Sequence, residues 1–219
     1  MSEMKRRTML GAVAAGAALA TAGKAQGKEK MKLKTYDNGH FYKDGEFQVD
    51  IAKAAYYEMM EFHNYPIVPR LQGEEFWATD FGLGKFSEIG MGGIFWVNNL
   101  EDNYFGHEIY LFNGQCIPEH SHVKTKLAGP KMEAWQVRYG SVWIYGEGEP
   151  TPGMKVPPTH KECMIAKTEK KLEPGEMGQL AGAGQWHWMK GGPNGGIVTE
   201  YATYHDNDGL RFSHPDIVF

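Results

Sequence analysis

Apolar and polar positions along this chain follow two different periods. Between Asp50 and His63 the apolar residues Ile51, Ala54, Ala55, Met59 and Phe62 recur at helical spacing, which predicts one amphipathic helix. Asp50 is placed to cap it and Pro66 to stop it. Further along, short runs rich in aromatic and β-branched residues predict strands over 93–98, 108–112, 132–139, 141–145, 163–167, 178–180, 185–190 and 197–204. Turn residues separate them: Asn113-Gly114, Gly148-Glu-Pro150, Pro174-Gly175 and the glycine-rich run 191–196, read as a hairpin turn. Many short strands at close spacing predict a sandwich or barrel, hence an all-β domain with one N-terminal helix. No internal repeat or second domain is evident, and 219 residues suffice for one domain with a real core.

Alternation sets a register on two of these strands. Lys131, Glu133, Trp135 and Val137 share one face of the first; Gln136 and Arg138 share the other. On the later strand His187 shares a face with Gln185 and Met189, and Trp186 and Trp188 lie opposite.

The first 25 residues break both patterns. Lys5-Arg6-Arg7 precedes an uncharged, Ala- and Gly-rich run from Thr8 to Gly23, with small residues for cleavage after Ala22 or Ala25. This is the layout of an export signal, and the paired arginines resemble a twin-arginine signal. The chain is therefore expected to be exported, to the periplasm. The apolar run is too short and too weakly hydrophobic for a permanent membrane anchor. Residues 26–45, polar and lysine-rich, read as a linker or an arm across the domain, which occupies 46–219. The formal net charge of −4 gives no electrostatic case for nucleic acid. Export permits a disulfide between Cys116 and Cys163, the two cysteines, although a small buried thiol is the simpler reading of Cys116.

Chemistry concentrates in the run Gly114-Gln-Cys-Ile-Pro-Glu-His-Ser-His and in the strand after it. His120 and His122 are two apart, so on an extended strand both rings reach one face. Glu133 brings a carboxylate there from the next strand, and His187 is available as a fourth ligand. Imidazoles with one carboxylate suit a divalent first-row metal with positions left open. Manganese suits such a mixed set, and ligand type alone does not exclude iron, cobalt or zinc.

These residues resemble known motifs. Gly114, five residues, His120-x-His122, Glu133, six residues and Gly140 resemble the first cupin motif, with a long spacer of ten residues before Glu133. Leu172-Glu-Pro-Gly-Glu with Gly184-x-x-His187 resembles the second, with Gly182 where that motif usually has proline. A closer resemblance, over roughly residues 80–215, is to the D-lyxose isomerase family of cupins. It rests on Asp80-Phe-Gly-Leu-Gly-Lys-Phe, Gly114-Gln-Cys-Ile-Pro-Glu-His-Ser-His, Lys131-Met-Glu-Ala-Trp-Gln-Val-Arg-Tyr-Gly, Gly146-Glu-Gly-Glu-Pro, Gln185-Trp-His-Trp and Thr199-Glu-Tyr-Ala. The resemblance implies a cupin-type β-barrel (jelly roll) and an aldose–ketose isomerase that binds manganese through His120, His122, Glu133 and His187. The chain departs from the family at Met132, at His205-Asp-Asn-Asp-Gly-Leu-Arg and at Phe219.

Isomerising an aldose moves a proton between C1 and C2 of a monosaccharide. Lys131, on the face of Glu133, and Glu200, on the strand after His187, are the candidate proton-transfer pair. Asp206, Asp208 and Arg211 are candidates for holding distal hydroxyls. The other histidines, His107 and His205 among them, have no ligand-like spacing and are assigned structural or exposed places. Two other classes compete: a metal-dependent dioxygenase, which tends to need an apolar pocket, and a non-catalytic carbohydrate-binding barrel. Pairing as a homodimer is expected from related barrels.

Overall fold

A computed structural model describes residues 33–219. The expected export signal over 1–25 and the start of the expected arm, 26–32, lie outside the described residues.

A single turn of 3-10 helix (Asn38–Phe41) and the hairpin β1 (Tyr42–Lys43) and β2 (Glu46–Phe47) lead into helix α1 (Val49–Phe62). Gln48 stands at its N-cap and Asp50 in its first turn, where a carboxylate faces the positive end of the helix dipole. The chain leaves α1 through Asn64 in the left-handed region (φ 54°), before Pro66. The buried face is Ala52, Ala55, Tyr56, Met59 and Met60, rotated from the predicted one; Ile51 is exposed. Tyr56 sets this rotation. Its ring stacks on Phe112 at 4.2 Å and its hydroxyl donates to Gln115 Oε1 at 2.7 Å. Leu33, Tyr36 and Phe41 from the preceding segment join the same aromatic core.

After the short helix α2 (Pro69–Gln72) come nine strands: β3 (Phe76–Thr79), β4 (Met91–Asn99), β5 (Tyr104–Leu111), β6 (Cys116–His122), β7 (Glu133–Gly146), β8 (Thr168–Leu172), β9 (Met177–Gln179), β10 (His187–Ala202) and β11 (Leu210–Phe212). All pair antiparallel, in the order β3-β4-β5-β10-β6-β11; β7 runs along β10, and β8 and β9 pair with β7. The first half of β10 pairs with β6 and the second half with β5, so the sheet curls around it into the jelly-roll barrel. One face carries the barrel core, with Ile109, Leu111, Val137, Val142, Met189 and Val198; the other face of β4 and β5 packs on α1.

Three expectations change. The segments 132–139 and 141–145 are one strand, β7, and 185–190 with 197–204 are one strand, β10. The run 191–196 is therefore no hairpin turn but a bulge: pairing jumps from Gly191↔Val142 to Gly196↔Gly140. Its glycines serve close backbone approach, since a Cβ on Gly140 (φ 69°) would lie 2.1 Å from Gly195 O. The segment 163–167 is a loop, because Ile165 and Ala166 give their backbone N–H groups to the buried Glu119 carboxylate. Cys116 and Cys163 are free thiols. Among the described residues no helix is long and apolar enough to cross a membrane.

Candidate metal centre

Three strands deliver four side chains to one end of the barrel. β6 ends in His120 and His122, β7 starts at Glu133, and β10 starts at His187, paired directly with His120. One ligand atom from each lies within 4.8 Å of every other. His187 Nε2 is 2.9 Å from Glu133 Oε2, and His122 Nε2 is 3.5 Å from Glu133 Oε1. Donors about 2.1 Å from a shared ion stand about 3 Å apart when adjacent and about 4 Å when opposite, so the cluster fits a metal.

The backbone prepares two of the imidazoles. His120 Nδ1 lies 2.9 Å from Pro118 O, and His187 Nδ1 lies 2.9 Å from Gln185 O. A carbonyl only accepts, so each Nδ1 keeps its proton and each Nε2 is the atom turned to the cluster. Burial, then the neighbouring His187, pushes His120 down to about 3. Burial, then Lys131, also lowers His122. Both rings are neutral at physiological pH, the form that binds a metal. For Glu133, burial favours the neutral acid, but Lys131 and His187 outweigh it and hold the carboxyl well below its usual range. For His187, burial opposes charge, yet the Glu133 carboxylate carries it above its ordinary value.

Lys131 and Glu200 stand beside this cluster. Lys131 Nζ donates to Glu133 Oε1 at 2.9 Å and to Glu200 Oε1, and it lies 4.3 Å from the centre of the Phe105 ring. Burial opposes its charge, but Glu133 and Glu200 together hold it above the usual lysine value. For Glu200, burial favours the neutral acid, but Lys131 and His107 together hold the carboxyl below its usual range. The pair, the four ligands, His107 and His205 line one cavity that opens to solvent. Aromatic and apolar side chains make the remaining walls, among them Trp77, Phe95, Trp135, Phe212 and Phe219.

The structure does not bring Asp206, Asp208 and Arg211 to this cavity. On β11, Leu210 and Phe212 pair with His122 and His120 and line it, so alternation turns Arg211 outward, where it donates to Asp208 O and Leu210 O. Asp206 caps the following turn, accepting from Asp208 N at 3.1 Å, and Asp208 is exposed. Two lining residues have no signature in the sequence pattern. His107 sits opposite Glu200 across β5 and β10, with its Nδ1 3.1 Å from Glu200 Oε2. His205 stacks on Phe105, and its Nε2 is 2.7 Å from Asn207 Oδ1. The inward phase of β5 (Phe105, His107, Ile109) is the available signal for His107, but only once its partner strand is known.

No family model matches the chain. It is similar to the D-lyxose/D-mannose isomerase of Thermosediminibacter oceani, 33% identical over 163 residues that cover 74% of this chain and 88% of that protein. It is likewise similar to the D-lyxose ketol-isomerase of Cohnella laeviribosi, 34% identical over 64% of this chain and 76% of that one. Among solved structures, the L-ribose isomerase of Cellulomonas parahominis, determined with L-psicose, superposes with a TM-score of 0.61. That match covers 76% of this chain and 91% of the other at 13% identity, a likeness of fold.

Proposed function

We propose, from the premise that this chain belongs to the D-lyxose ketol-isomerase family and is a sugar isomerase, that it interconverts D-lyxose with D-xylulose, or D-mannose with D-fructose, in a metal-dependent proton transfer. His120, His122, Glu133 and His187 would hold a divalent first-row ion, manganese in this proposal. When bound, that ion would supply Lewis acidity to the sugar's oxygens.

Two protons change place in the reaction: one from C2 to C1, and one from the C2 oxygen to the C1 oxygen. Glu200, ionised beside Lys131, takes the proton from C2 and returns it to C1. The Lys131 ammonium, fixed between Glu133 and Glu200, relays the proton between the oxygens. The aromatic walls receive the C–H faces of the sugar and exclude water from the exchange.

The observation that carries this reading is the buried Lys131–Glu200 ion pair, which lines the same cavity as the four-donor cluster and touches it through Glu133. Replacing Glu200 by Gln is expected to cut turnover by about 10²- to 10⁴-fold while metal content stays at the wild-type level. Full turnover in E200Q would overturn the assignment. Residues 1–25 serve, in the same proposal, to export the enzyme. Arg6→Lys with Arg7→Lys is expected to keep it in the cytoplasm, as fractionation would read.

A further inference from the structure

The carboxylate assigned to carbon-proton transfer has two oxygens, and they have different partners. Oε1 accepts from Lys131, and Oε2 faces His107 Nδ1 at 3.1 Å. His107 and Glu200 are directly opposed in the ladder between β5 and β10. Both side chains are buried, 6% and 5% exposed, so neither contact is loosened by solvent.

The His107 ring is itself tightly held. Trp77 stacks against one side at 5.7 Å and 25°, and Phe95 meets it edge-on at 4.9 Å. Its Nε2 is buried without a hydrogen-bond partner. That nitrogen lies over Gly93: a Cβ built there would come within 2.5 Å of it, and within 2.5 Å of the Trp77 ring. Gly93 on β4 is thus the absent side chain that lets the imidazole lie flat between the strands. A ring wedged this firmly, with one nitrogen on a carboxylate and the other against backbone, has little freedom to serve as a metal ligand or a mobile acid. It can hold the carboxylate.

We infer that His107 is a positioning residue for the isomerisation: its Nδ1–H fixes the plane of the Glu200 carboxylate, so that the oxygen lone pairs face the sugar carbons rather than rotating about the bond to Lys131. A carboxylate anchored by one donor can swing; one anchored at both oxygens by donors from separate parts of the chain cannot. The inference rests on the role proposed for Glu200 and adds to it the element that aims that group.

The experiment compares His107→Leu, His107→Asn and His107→Gln in the metal-loaded full chain, with kcat, KM and metal content read separately. Asparagine places an amide nitrogen near the position of Nδ1, and glutamine places one near Nε2. H107L is expected to lose about 10- to 100-fold in kcat, with KM within about threefold of wild type and metal content unchanged. H107N is expected to recover to within about fivefold of wild type, and H107Q is expected to stay with H107L. Gly93→Ala, which displaces the ring without altering it, is expected to lower kcat in the same way. Wild-type kcat in H107L, or equal activity in H107N and H107Q, would overturn the inference. If H107L does not fold, the comparison of H107N with H107Q decides alone. A fully active E200Q would instead remove the reading on which the inference rests, so the two failures are told apart.

Discussion

Glu108 and Glu200 are two buried carboxylates on adjacent rungs of one ladder, on opposite faces of the sheet. Glu108 pairs across to Thr199, and Glu200 to His107. Burial does not separate them, at 8% and 4% exposed. Their partners do. Glu108 accepts from Tyr65 OH, from Trp96 Nε1 at 3.1 Å and from Tyr110 OH and Thr199 Oγ1 at 3.3 Å each. These are neutral hydroxyl and indole donors on the side of the aromatic core, and they satisfy the group away from the cavity. Glu200 faces a cavity, a lysine and an imidazole. A buried carboxylate can serve catalysis where a substrate can reach it beside charged or basic partners, and serves the fold where hydroxyl and indole donors seal it in the core.

The sharpest way to break this contrast is to remove the proposed metal ligands beside Glu200. His120→Ala or His187→Ala is expected to abolish both bound metal and turnover. Either change should also erase the rise in melting temperature expected when manganese is added to the wild type, equivalent to about 2.7 kcal/mol at a hundredfold excess over Kd. Retained activity in metal-free protein would dissolve the contrast entirely. The next effect is that of E200Q against Glu108→Gln. The first should lose turnover with its urea midpoint little changed. The second should keep kcat within about threefold but lose about 1–3 kcal/mol of stability, read from urea unfolding, because neutral donors that a carboxylate satisfied are left with an amide. A reversal of the two outcomes would mean that the sheet faces have been given the wrong roles. The smallest effect is expected for Arg211→Ala. Its guanidinium bonds only to nearby carbonyls outside the cavity, so KM for the aldose should stay within about twofold. A large rise in KM would place the sugar beyond the aromatic walls of the cavity.

Much of the metal cluster was legible from residue order. A two-residue spacing on a strand puts His120 and His122 on one face whatever the rest of the fold does. Alternation likewise placed Lys131 with Glu133 and Trp135, and burial alternates along this stretch accordingly. Other features were not legible, for identifiable reasons. Gly191 to Gly196 carries a turn composition, yet β10 continues through it because β7 bends alongside and pairs on both sides of the bulge. Residues 163–167 carry a strand composition, yet their backbone donors go to Glu119, a carboxylate far away in the chain. Helix α1 was recognisable as a helix, but its docking face was set by the stacking of Tyr56 on Phe112, which periodicity does not contain.

By itself the sequence determined what depends on neighbours along the chain: the helix, the strand periods, and the pairing of two imidazoles on one face. Tertiary structure alone decided which strands lie side by side, and with that the aim of Glu200 by His107 and the exclusion of Arg211 from the cavity. The reason is that side-chain direction within a strand has a period of two and is local. Which residue stands opposite is a matter of register between strands as far apart in the chain as those of Phe105 and Ala202, and no local rule specifies it.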